Sequence, residues 1–187
     1  MGAQGIRGHR AAGSLLKSRD GAGGRAIGKD SGLSVAEALA VLLQTWNSQF
    51  YRFRGGFTAK HYAEIDRLLD DHWKAILDLR PRSIEIASGV DLDAAASLFH
   101  EFEEKLGPTG ASKALHLLAP RLFPLWETKI AKRYGFYIGG ETDRARMYRR
   151  FMDVARQHIK GFGGESASGR NPLKAWDEWN YCKYGPG

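Results

Sequence analysis

From Ser34 onward, apolar residues recur at three- and four-residue spacing, and each run is closed by glycine, proline or a capping residue. That period puts the apolar side chains on one face of a helix, so such a chain can bury them only by packing helix on helix. Ser34 and Glu37 form a capping box, after which Leu39, Leu42, Leu43, Trp46 and Phe50 follow at helical spacing until Gly55-Gly56. Thr58 caps a second helix with the stripe Tyr62, Ile65, Leu68, Leu69, Trp73, Ile76 and Leu77, ended before Pro81. Asp91 or Asp93 opens a third, which stops at Gly107. Shorter helices are expected over 111–119 and 125–134, a longer one from Asp143 to Lys160, and a last one after the Asn171-Pro172 cap. Ile84 and Ile86 alternate as in a short strand, with no partner strand in view. The expected fold class is all-α: one compact multi-helix domain over 33–187 with a central helix-hairpin-helix-like motif.

Residues 1–32 break the pattern. They hold nine glycines and six basic against two acidic residues, with almost no aliphatic clusters. Such a segment cannot bury enough apolar surface to offset its ordering entropy, so it is expected to be a flexible, disordered basic tail. No apolar run of signal-peptide length follows its arginines, and no stretch of about 18 apolar residues occurs anywhere, so neither a leader nor a membrane span is expected. The single cysteine, Cys182, excludes an intrachain disulfide and makes a reducing, cytoplasmic setting the simpler reading. A net charge of +7 on 187 residues invites a polyanionic partner, DNA or RNA, without choosing between them. No Walker loop, dinucleotide fingerprint, nucleophile elbow or HExxH helix is present, so no cofactor and no metal are expected. Nothing in the chain specifies an oligomeric state.

The segment richest in chemistry runs from Leu106 to His116. Gly107 ends one helix and Gly110 precedes the next, so the backbone N–H groups of Gly107, Thr109, Gly110, Ala111 and Ser112 could grip a phosphate beside a helix N-terminus. An ordinary αα-turn with glycine caps explains the same residues equally well. Arg144, Arg146, Arg149 and Arg150 crowd one later helix, where they could follow a phosphate backbone or simply form a solvated basic face. His100 and Glu104 share a helix face, without the spacing of a metal site.

These residues resemble a known family. Leu106 to Ala114 is similar to the hairpin of the helix-hairpin-helix DNA glycosylase superfamily, and Phe123-Pro124-Leu125-Trp126-Glu127 resembles the family segment that ends in an aspartate just before a helix. Here the acid is Glu127, and Lys113 stands one place after the family's lysine position. The text from Ser112 to Ile130, with the ending Asp177-Glu178-Trp179-Asn180-Tyr181, also resembles a group of prokaryotic proteins with no established activity. The first resemblance implies base excision from DNA. Breaking an N-glycosidic bond builds positive charge on the sugar, which a carboxylate stabilises, while an amine can attack the anomeric carbon. It implies Lys113 as nucleophile and Glu127 as carboxylate, with Trp126, Tyr134 and His116 as candidates to hold the extruded base. Two plainer readings stay open: a noncatalytic nucleic-acid-binding helical module, and a helical interaction protein whose Trp126 is core and whose Glu127 merely caps a helix.

Overall fold

The computed structural model describes residues 34–46, 48–53, 56, 58–137, 143–164 and 169–184; the tail expected over 1–32 lies outside the described residues. Those described form an all-α domain of seven helices without a β-strand: α1 Val35–Trp46, α2 Ser48–Phe53, α3 Ala59–Leu79, α4 Gly89–Leu118, α5 Thr128–Arg133, α6 Arg144–Gly161 and α7 Pro172–Tyr184. The capping box at α1 is formed: Glu37 N–H donates to Ser34 Oγ at 3.1 Å, and Ser34 N–H donates to the Glu37 carboxylate at 2.6 Å. Thr58 caps α3 through His61 N–H, and Asp143 caps α6 through Arg146 N–H.

Three boundaries differ from the periodicity. The long α4 starts at Gly89 because Ser88, not Asp91, is its N-cap; Asp91 is the reciprocal partner three residues on, accepting from Ser88 N–H at 2.9 Å. Leu77 falls off the apolar stripe of α3 and is exposed, while Leu79 is buried. Ile84 and Ile86 belong to a turn rather than a strand: Ile84 is buried with its N–H on the Arg121 carbonyl at 2.9 Å, and Ile86 is exposed.

The hairpin condenses to a single residue. Gly107 has φ 68° and ψ 165°, a conformation essentially restricted to glycine, and Pro108 follows at once as the first residue of the next helical arm. The second arm therefore begins three residues earlier than expected, and Gly110 lies inside it. This bent α4 is the centre of the fold. It packs against α3 and α6, α1 lies across α3 and α4, and α7 docks on α5 and α6. Between α4, α6 and α7 sits an aromatic core, with Phe99 stacked on Tyr148 at 3.8 Å between ring centroids and Trp126, Phe136 and Phe151 in edge-to-face contact. Each such ring, fully buried, contributes roughly 1.5–3 kcal/mol.

Candidate active site

The second arm of α4 and the segment between α4 and α5 are stitched together by the polar residues of the Ser112–Glu127 stretch. Ser112 is fully buried; its hydroxyl donates to the Thr109 carbonyl at 3.0 Å and accepts the Trp126 N–H at 3.0 Å. One turn later, His116 Nδ1–H donates to the Phe123 carbonyl at 2.8 Å. Burial chiefly, and the charge of Lys174 in addition, hold the His116 pKa below its ordinary value against the opposing effect of that hydrogen bond. Tyr148 reaches across from α6 to donate to the Pro124 carbonyl at 2.8 Å. Buried groups thus fix the whole segment from Phe123 to Trp126, and the residue after it, Glu127, has little freedom in where it stands.

Glu127 occupies the N-cap position of α5, yet its side chain makes no capping hydrogen bond. The carboxylate turns instead to Lys113, with Nζ 3.3 Å from Oε1. Lys113 lies between Ser112 and His116 on the same arm, and its side chain is only 14% exposed. It also donates to the carbonyl of Trp46, the last residue of α1, at 2.7 Å. The C-terminal end of a helix carries partial negative charge and unpaired carbonyls, and α1 has no basic residue of its own in its last turn. Lys113 supplies that cation from another helix.

The charges of this pair also act on an acid from the far end of the chain. Asp177 on α7 is partly buried and makes no hydrogen bond or ion pair among the described residues. Its pKa is pushed up to about 6, first by burial, then by the Glu127 charge and the weaker Glu178 charge, while Lys174 and Lys113 pull the other way. The docking of α7 is itself specific: Tyr134 Oη–H donates to Asn180 Oδ1 at 2.6 Å, Asn180 Nδ2–H to the Trp176 carbonyl at 2.9 Å, and Asn171 Nδ2–H to the Pro120 carbonyl at 2.9 Å. The ion pairs of this region are separate, Lys113 with Glu127 at 3.3 Å and Lys174 with Glu178 at 3.4 Å, and their charges act on Asp177 without a contact to it. Sequence reasoning assigns no role to Asp177 or Lys174. The late Asp-Glu-x-Asn stretch is the available signal, but nothing local links it to Lys113.

The remaining predicted site residues fall into place unevenly. Trp126 is 3% exposed, its ring enclosed by Phe136, Tyr148 and Phe151, so the indole presents no face to a ligand. Tyr134 is partly buried, with its ring against Trp176 and its hydroxyl committed to Asn180. In the hairpin, Gly110, Ala111 and Ser112 are buried, which leaves Gly107, Pro108 and Thr109 as the part-exposed positions. On α6, Arg144 pairs with the buried Glu103, and Arg149 with Asp93 at 2.7 Å and with Asp153. Arg146 and Arg150 are the two exposed arginines of the four, Arg150 lying over the Phe136 ring. No group of three metal-ligating side chains occurs among the described residues, and His100 and Glu104 form an exposed pair at 3.8 Å.

A cleft of about 340 Å³ opens between the end of α6 and α7, lined by Ile159, Phe162, Pro172, Trp176 and Trp179. Helical spacing puts Asp177 on a different flank of α7 from these residues, so the cleft and the Lys113–Glu127 pair are separate features. No helix among the described residues is long and apolar enough to cross a membrane. Comparison of the chain with family models, with curated proteins and with solved structures finds no match.

Proposed function

We propose that the protein is a DNA-binding enzyme of the base-excision type, related to the helix-hairpin-helix glycosylases, with Lys113 as nucleophile and Glu127 as the carboxylate that stabilises charge on the sugar. The observation that carries the reading is the Lys113–Glu127 pair at 3.3 Å, in which a helix-start acid forgoes capping to face an enclosed amine. Asp177, a carboxylate whose pKa is raised by burial and by the Glu127 charge, adds support, since perturbed titratable groups cluster at functional sites. In the reaction, Lys113 loses its proton and its lone pair attacks C1′ of the sugar. The C1′–N bond breaks, its electron pair leaving on the base, which takes up a proton. Transfer of an amine proton to the ring oxygen as the ring opens then leaves a Schiff base on Lys113. Arg146 and Arg150, with the part-exposed turn at Gly107–Thr109, supply the phosphate contacts in this reading, and DNA as substrate suits a cytoplasmic location.

The test is release of free base from duplexes carrying a panel of damaged or mismatched bases. Lys113→Arg and Glu127→Gln keep the size and hydrogen bonding of the pair, so each is expected to abolish release while leaving duplex affinity within a few-fold of the native protein. Release that survives Lys113→Arg refutes the assignment. A second reading, a noncatalytic nucleic-acid-binding module, draws support from the bond of Lys113 to the Trp46 carbonyl, which gives the amine a purely structural task at the end of α1. Under that reading Lys113→Arg retains all function and Lys113→Met chiefly lowers stability.

A further inference from the structure

The cleft at the end of α6 lies apart from the Lys113–Glu127 pair and takes no part in the excision chemistry. We propose that it is a binding site for unpaired nucleotides of a nucleic-acid strand, in which bases stack on Phe162 and Trp179 while Arg133 and Lys183 hold the phosphates. Such a site goes beyond the excision reading and does not depend on it.

The cleft is small, about 340 Å³, near the lower end of the range for ligand pockets, which suits a planar ring rather than a helix or a folded partner. Its lining is aromatic where it meets solvent. Trp176, 3% exposed, closes it from beneath, whereas Phe162 is 58% exposed and Trp179 is half-buried, so both offer ring surface at the opening. A row of rings continues outward along α7: the Phe162 and Trp179 centroids are 5.7 Å apart, and those of Trp179 and Tyr184 5.9 Å. Cations sit on this row. Lys183 Nζ stands 4.6 Å from the Trp179 centroid and 5.2 Å from that of Tyr184, and the Arg133 guanidinium lies 5.7 Å from Tyr184. The acid on this side, Glu178, pairs with Arg170 at 2.8 Å and with Lys174 at 3.4 Å, so Arg133 and Lys183 leave the face positive. A quaternary ammonium, the other ligand that aromatic rings attract, would meet rings that already carry the protein's own cations. A nucleotide meets the opposite case: its base is planar and stacks on any ring, and its phosphate is the anion that the cations call for. Aromatic rings set among cations hold single strands in this way without regard to sequence.

The test is binding of a fluorescein-labelled short oligothymidylate to the full chain, followed by fluorescence anisotropy, against a strand of equal length that lacks bases. The native protein is expected to bind the thymidylate strand more tightly than the base-free strand. Phe162→Ala should lower thymidylate affinity about 5- to 150-fold, the range for loss of one base–aromatic stack, and leave the base-free strand unchanged. Phe162 is exposed, so this variant keeps the fold, and Phe162→Tyr, which keeps the ring, should bind as the native protein does. Arg133→Met with Lys183→Met should weaken both strands. Equal affinity for the two strands, or thymidylate binding that survives Phe162→Ala and Trp179→Leu together, overturns the site. An ultraviolet cross-link from a 5-iodouracil strand should map to the peptides that hold Phe162 or Trp179, and an adduct confined to other peptides overturns it as well. The same set with oligouridylate separates the sources: a preference for either strand supports the site and assigns it to that strand, and equal binding supports recognition of what the two share. Lys113→Arg, expected to abolish base release, should leave thymidylate affinity unchanged, so that failure of the excision reading and failure of this site are told apart.

Discussion

Replacing Asp177 by asparagine is expected to stabilise the protein above pH 6, because the native carboxylate is held where it resists ionisation. Its folded pKa is raised from 3.8 to about 6, so the stability that this group contributes is fully present below about pH 4 and is lost as pH rises through about 6. One pKa unit corresponds to about 1.4 kcal/mol, and a rise of a little over two units to about 3 kcal/mol at most. Solvent reaches the carboxylate in part, which brings the expected gain to about 1–2 kcal/mol. For a domain of this size each kcal/mol moves the melting temperature by roughly 2–4 °C, so Asp177→Asn should melt about 3–6 °C higher than the native protein at pH 7.5. The assay is paired thermal melts followed by circular dichroism at pH 4, 5, 6 and 7.5. The difference should be near zero at pH 4 and grow through pH 6. A variant that melts below the native protein at pH 7.5, or by the same difference at pH 4 and 7.5, would show that Asp177 is not under the electrostatic strain described.

Ser112→Ala removes the acceptor of the buried Trp126 N–H and should cost about 1–3 kcal/mol in denaturant melts; a smaller loss would mean that the segment holds its place without this bond. Gly107→Ala forces a side chain into backbone at φ 68°, ψ 165°, with an expected loss of about 1–3 kcal/mol, and a neutral result would contradict the sharp bend. Arg146→Glu with Arg150→Glu should weaken duplex binding and flatten its logarithmic salt dependence by about 0.9 for each phosphate no longer neutralised. Arg149→Glu should instead act mainly on stability, because Arg149 bridges Asp93 and Asp153.

The helices are legible because their stripes and caps are local: Ser34 with Glu37, Thr58, Asp143 and Asn171 each announce a start within three residues of the bond they make. The start of α4 is harder to place, because Ser88 and Asp91 form a reciprocal pair and either could open a helix. The width of the hairpin escapes for a related reason: two glycines three apart look like two ends, and only packing decides that Gly107 alone bends while Gly110 lies buried inside the arm. At the site, the meeting of Lys113 with Glu127 can be anticipated from the order of residues, since the two lie on consecutive elements. The fates of Trp126 and the arginines depend on what packs opposite them. An indole next to a helix start serves a pocket or a core equally well until Phe136, Tyr148 and Phe151 close around it. Arg144 and Arg149 likewise read as a basic face until Glu103 and Asp93 on α4 are brought beside them. Asp177 is beyond reach because the two largest effects on it, burial and the Glu127 charge, arise only when α7 docks, while its helix neighbours Lys174 and Glu178 add smaller ones.

The most direct measurement of the central claim is the identity of the residue that sodium borohydride joins to an abasic-site duplex. Digestion and mass spectrometry of the trapped complex should place the sugar remnant on Lys113, with the adduct lost in Lys113→Arg, a variant that keeps the cation, its bond to Trp46 and its pairing with Glu127. No adduct, or an adduct carried by another lysine and undiminished in Lys113→Arg, would contradict the account.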